Sequence, residues 1–433
     1  MNNFRFPSFM LVCFAGWVSV CAGQESWPQW RGPELNNISE AGNLPVEFNQ
    51  DKNLAWRYAM PGPGGASPVV WQDHVFISSV HEEDGGLVLL CLNDQGELKW
   101  QKELKGKNRS IRMDSANSAS ASPCTDGEHV WVTTSAGFLQ CFDFQGNEVW
   151  SVDLQDRYGE FQIQFGMSST PILHDGVLYL QLIHGSMRDR STTSEGTVVA
   201  LDAATGKEKW KQIRATDGHT ENKHSYASPT LVIDGDTKYL VTHGGDYVIG
   251  HALKDGVEIW RKGGLNPKDN YNPYLRFVAS PVAADGKLIV PSAKNGPVIC
   301  LDTNTTTDAT GDSQTPQWVL RQGTPDVATP VVHDGLVFLA RENGVMLCVD
   351  AETGEEVYQK RMFADKHRST PVCADGKLYI VARDGTVIVL SADREGTVLA
   401  ENELGDVGKA SPAIVDGKIY IRTSKGLYCF ANE

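Results

Sequence analysis

Arginine, histidine and tyrosine gather in the longer polar segments of this 433-residue chain. Arg112, Arg157, His224, Tyr226 and Arg276 lie in segments 101–120, 151–168, 211–226 and 261–278, and Arg341 and Arg383 stand beside Asn-Gly and Asp-Gly turns. Guanidinium groups bind carboxylates and phosphates through paired hydrogen bonds, and tyrosine offers a stacking face with a polar tip. Such a set suits an anionic or sugar-like ligand, although loops are polar by default and would supply many of the same residues. No catalytic motif accompanies it: HExxH, GxSxG and GxxxxGK[ST] are all absent. The eleven histidines are scattered, without the close pairs of a preformed metal site. No catalytic residue and no metal ligand is therefore assigned, and His224, in NKHSY just before a repeat unit, is the histidine that merits a test.

Charge and cysteine usage narrow the classes further. The formal net charge is −15, which repels nucleic acid and anionic membranes. Residues 1–23 carry Arg5, a largely apolar run over 6–20 and the small cluster Cys21-Ala22-Gly23, the pattern of a cleaved secretory signal. The run is shorter than the ~20 residues a bilayer span needs. Cys21 could accept a lipid, but Val18-Ser19-Val20 places a bulky residue where such a signal wants a small one. A soluble protein of the periplasm or the exterior, monomeric, is the expectation.

Seven cysteines follow the signal, an odd number with no CxxC and no adjacent pair. Cys91, Cys141, Cys300, Cys348 and Cys429 share one slot of a repeat, filled by Ala200 and His251 in two other units. A repeat keeps such residues apart, so they read as small buried strand residues rather than as a disulfide framework.

The elements that must position the polar segments come from that repeat. In 328–358 four short apolar runs are separated by Asp-Gly, Asn-Gly and Thr-Gly, which favour hairpin turns, giving one four-stranded antiparallel meander. A marker of a small residue, then Ser or Thr, then Pro recurs at Pro68, Pro123, Pro171, Pro229, Pro281, Pro330, Pro371 and Pro412, spaced 55, 48, 58, 52, 49, 41 and 41 residues apart. That period belongs to propeller blades, so the chain is predicted to be all-β, an eight-bladed β-propeller of four-stranded antiparallel blades. The fourth strand of most units carries an aromatic, at Trp100, Trp150, Trp210, Trp260, Trp318 and Tyr358, with Ala400 at the seventh. The eighth unit stops at Cys429-Phe430, and Trp56 in LAWRY fits its missing position. The N-terminal strand should thus complete the last blade and remove the exposed sheet edges. The organisation expected is a signal (1–23), an irregular leader (24–53) and one propeller (54–433).

Turns one and three of a blade lie on one face of the disc; turn two and the blade-to-blade connection lie on the other. The Asp-Gly and Thr-Gly turns make a plain face, while the long connections and the hairpin extension 184–195 collect opposite, where binding residues on a rigid scaffold belong. The Thr-rich insert 303–315 falls on the plain face and reads as a solvated loop.

The unit ALDAATGKEKW (200–210) resembles the repeat of quinoprotein-like, or pyrroloquinoline quinone (PQQ), propellers, and CVDAETGEEVY (348–358) is a second match. The resemblance runs from Leu54 to Phe430, and WPQWRGP followed by LAWRY is similar to the leader of secreted PQQ-like repeat proteins. It implies two function classes. One is a propeller resembling that of the outer-membrane-barrel assembly machinery, which binds partner proteins through its loops and carries no cofactor. The other is a PQQ-dependent dehydrogenase with calcium, oxidising an alcohol or sugar, whose adjacent-cysteine disulfide has no counterpart here. The reading adopted is an exported, non-catalytic binding or scaffold module for an envelope protein or a small polar ligand, with the dehydrogenase as the alternative.

Overall fold

Short apolar runs bounded by positive-φ turns leave the backbone one economical solution, the tight antiparallel meander. Asp175, Asp285, Asp334, Asp375 and Asp416 adopt φ of 47–52°, each followed by a glycine at 67–73°, the two positive values that a hairpin matched to strand twist needs. The computed structural model describes residues 26–108, 117–189, 191, 194–304, 314–363 and 366–432. It forms eight antiparallel blades, as the repeat predicts, with a five-residue helix at Leu154–Tyr158. Among the described residues no helix is long and apolar enough to cross a membrane. Residues 1–23, read as a signal, lie outside them.

The ring closes as the sequence requires. Strand Leu54–Ala59 pairs antiparallel with Gly426–Ala431, placing Trp56 opposite Cys429, and is the outermost strand of blade eight. The seven cysteines are free and buried.

The aromatic slot has a definite partner. The indole nitrogens of Trp56, Trp100, Trp150, Trp210 and Trp318 donate at 2.8–2.9 Å to carbonyls in the third turn of the following blade. Each ring covers a positive-φ glycine of that turn, for example Gly256 under Trp210. Departures in the aromatic coincide with departures in the turn. The third turn of blade five is replaced by the insert, of which 305–313 lie outside the described residues, and among the described residues the Trp260 indole nitrogen preceding it donates to no turn carbonyl. The matching place in blade eight is a meeting of two segments distant in the sequence, where the Ala431 amide donates to the Asn53 carbonyl (3.0 Å), and the preceding blade carries Ala400.

Gly256→Ala should therefore cost about 2–4 kcal/mol, from a left-handed backbone (φ +73°) and a Cβ only 2.5 Å from the Trp210 ring. Gly176→Ala, at φ +70° with open space around it, should cost only about 1 kcal/mol. Equilibrium denaturation of both variants separates the steric part from the backbone part.

The leader differs from its expected form. It is not irregular throughout: Ser26–Trp27 adds to the inner edge of blade one, and Ile38–Ser39 pairs in parallel with blade seven. Between them the chain threads the ring. The Pro28 carbonyl accepts from Thr125 (2.8 Å), Gln29 Oε1 accepts from the Leu173 amide (3.1 Å), and Ser39 Oγ donates to the Ile414 carbonyl (2.8 Å). Inner strands of a propeller present unpaired edges to the axis, and the leader satisfies several of them. Arg31 is 1 % exposed and donates to the carbonyls of two marker prolines, Pro229 (2.6 Å) and Pro281 (2.9 Å). Its φ of 74° is costly for a non-glycine residue, and these bonds hold it there.

Candidate functional site: an axial cup

The marker owes its composition to the crowding of eight inner strands. Proline removes an amide that would need a partner. The Ser or Thr before it still carries one, and that N–H donates to the hydroxyl of the next blade's marker at 2.8–3.2 Å, in seven successive steps from Ser67 to Ser411. The residue between, alanine in six of eight units, leaves no bulk to separate the blades.

Residues alternate in direction along an extended chain, so the position two before each marker hydroxyl faces the axis as well. Around the ring these are Gly65, Ser120, Ser168, Tyr226, Val278, Val327, Arg368 and Lys409, and all eight line one cavity of about 450 Å³ on the elaborated face. Trp30 of the leader also lines it. The cavity is thus a cup on the propeller axis with the leader beneath it. The Arg31 guanidinium stacks 4.8 Å from the Trp30 ring centre. The wall is graded, small and hydroxylic in blades one to three, bulkier in blades four to six, cationic in blades seven and eight.

Charges at the mouth are mostly paired. Arg276 Nη1 lies 3.0 Å from Glu221 Oε1 and its guanidinium 5.0 Å from the Phe165 ring centre; Arg368 Nε lies 3.1 Å from Glu342 Oε1. Asp326 and Lys366 complete the mouth. The Tyr226 hydroxyl accepts the Phe165 amide (3.2 Å), and burial raises its pKa, so it remains a neutral donor.

Of the residues singled out in the sequence, Tyr226 and Arg276 line this cup. His224 is buried beside it, Nε2 2.9 Å from the Gly185 carbonyl, and burial lowers its pKa. Arg157 donates to the Gly206 carbonyl (2.9 Å) in the third turn of blade three, outside the cup. Arg341 donates to Asn295 Oδ1 (2.9 Å), and the Arg383 backbone amide to the Lys366 carbonyl (3.0 Å). Arg112 lies outside the described residues. Trp30, Ser120, Ser168, Arg368 and Lys409 were not singled out; for all but Trp30 the signal was the register of the marker itself.

Residues 93–357 and again 307–432 match the family model described as outer membrane protein assembly factor BamB. The chain belongs to that family. A BamB from Yersinia pestis is 25 % identical over 247 residues, which cover 56 % of this chain and 52 % of that protein. The chain thus spans about half the length of this curated relative. Among solved structures, BamB from Moraxella catarrhalis superposes with a TM-score of 0.62 at 13 % identity, covering 88 % of this chain and 97 % of that one. A europium-containing methanol dehydrogenase gives 0.70 at 13 % identity, covering 94 % and 98 %. At such identities the likeness is one of fold. The dehydrogenase fold raises the question of a quinone with calcium in the cup. Of its two carboxylates Glu342 is engaged by Arg368, and among the described residues no three His, Cys, Asp or Glu side chains gather as a metal set. The residues present do not fit that pair.

Proposed function

We propose that this BamB-family propeller is an exported, non-catalytic scaffold that binds an envelope protein through its elaborated face. The observation that carries the reading is the segregation of long connections to one face, around the axial cup, while the opposite face consists largely of tight turns. Tyr274, in the 261–278 connection, is 60 % exposed, and its carbonyl is held by Lys294 Nζ (2.6 Å). An exposed aromatic on a fixed backbone is the type of residue that anchors protein interfaces. Membership of a family described by outer membrane protein assembly supports a partner from that machinery.

The test is biolayer interferometry with the outer-membrane-barrel assembly protein of the same organism, using the chain from residue 24 onward. Saturable binding should weaken at least about tenfold in Tyr274→Ala. It should stay unchanged in Lys377→Ala, beside the Asp375-Gly376 turn of the plain face. No binding, or equal loss in both variants, contradicts the reading.

A further inference from the structure

We infer that the axial cup is a saccharide-binding site, with Trp30 as its stacking platform. The connections lend Tyr226 and Arg276 to this cup, but Tyr274, the residue proposed to anchor a protein, is not part of its lining, and the inference does not rest on that reading.

Four observations converge on that ligand class. Trp30 is partly exposed, lines the cup and is fixed from the axis by Arg31, itself held by two proline carbonyls. An indole held in this way offers a rigid apolar face at little entropic cost, suited to the C–H face of a sugar ring. Above it, Ser122, Thr170, Ser228, Thr370 and Ser411 line the wall while each accepts an N–H from the preceding blade. A hydroxyl has one proton to donate besides its lone pairs, so each of these groups can still donate to a ligand oxygen. Ser120 and Ser168 add hydroxyls one layer higher.

The charges favour a polyhydroxylated ligand over a polyanion. Arg276 and Arg368 are each matched by a carboxylate, and the two lysines of the lining, Lys366 and Lys409, share the cup with Asp326. Paired charges of both signs serve as donors and acceptors for hydroxyl groups, whereas phosphates would meet these carboxylates and an acidic surface. The volume, about 450 Å³, falls within the roughly 300–1,000 Å³ of small-molecule sites and admits an oligosaccharide end. The wall also carries an asymmetry: Gly65, Ser120 and Ser168 leave room on one side, while Tyr226 and Arg368 narrow the other. A sugar would enter with a preferred orientation.

The test is isothermal titration of the chain from residue 24 onward with cellobiose, maltotriose, N,N′-diacetylchitobiose and a galacturonate trimer. Saturable binding of at least one is expected, the uronate arm distinguishing an acidic from a neutral saccharide. Trp30→Ala should weaken it at least about tenfold and Trp30→Phe less, as loss of a stacking face predicts. Because Trp30 belongs to the leader, Ser168→Trp provides a second variant that fills the cup from the wall and should abolish binding. Both variants should leave capture of the barrel-assembly protein unchanged, so the two proposals fail separately. Absence of saturable binding across the panel, or binding indifferent to both Trp30→Ala and Ser168→Trp, overturns the inference.

Discussion

Deletion of Leu54–Ala59 is expected to abolish the cooperative thermal transition, a larger effect than any single substitution in the ring. This strand supplies the outer edge of blade eight, where it pairs with Gly426–Ala431. It also carries Trp56, whose indole donates to the Asp94 carbonyl (2.8 Å) and covers Gly96 of blade one. Its removal exposes the edge of Gly426–Ala431, opens the Trp56 contact between blades eight and one, and detaches the leader from the strand that it meets. A closed ring has no independent blades, so the damage spreads rather than staying in blade eight. The narrower variant Trp56→Ala should cost about 3 kcal/mol, within the range for truncating a large aromatic. Differential scanning calorimetry reads both. A deletion variant that melts as one sharp transition near the parent's Tm would show that closure contributes little.

Stability is expected to fall steeply as pH drops from about 6.5 toward 4, through histidines buried in the neutral form. His251 occupies the slot that cysteine fills in five other blades. Its ring nitrogens lie 2.9 Å from Thr242 Oγ1 and 3.1 Å from the Gly256 carbonyl, while Arg214 Nε donates to the same threonine (2.9 Å). The neutral imidazole satisfies both neighbours as one donor and one acceptor. Burial, with Arg214 nearby, lowers its pKa to about 3. Burial likewise brings His243 to about 3 and His367 to about 4.

The sign follows from proton counting. Each folded pKa lies below the unfolded value of 6.5, so below pH 6.5 the unfolded chain binds protons that the folded chain refuses. Stability present above that value is lost as pH falls toward 3 or 4, by roughly 2 kcal/mol for each histidine at pH 5. Urea melts between pH 7 and pH 5 should show this loss. His251→Cys, which restores the residue of the other blades, should flatten the slope, and an unchanged slope would rule out His251 as a source of it.

The blades were legible in the sequence because their determinants are local. A turn such as Asp334-Gly335 carries its own backbone preference, and eight agreeing copies leave little freedom of register. Closure was legible for the same reason, since the empty aromatic slot of unit eight and the extra Trp56 fit each other. The meaning of the marker was not, because each hydrogen bond joins a serine or threonine to one 41–58 residues away. The leader was read as irregular because its partners are strand edges scattered over most of the ring. Neither Trp30 nor the course of residues 26–39 along the axis has a local signature.

The rim residues show the converse limit. Type and position placed Tyr226, Arg276, Arg157 and His224 alike in polar connections, yet only the first two line the cup. A guanidinium reaches several ångströms from its backbone, and that of Arg157 meets the Gly206 carbonyl. The alternation that would have separated these cases, two residues before each marker, was present in the sequence, but its direction becomes apparent only once the marker is known to ring the axis.

Hydrogen–deuterium exchange of the chain alone and with the barrel-assembly protein tests the central claim most directly. Binding through the elaborated face predicts slowed exchange in the connections 211–226 and 261–278, and no change in the turns at Asp175-Gly176, Asp334-Gly335 and Asp375-Gly376. Protection confined to those turns, with the connections unaffected, would contradict the account.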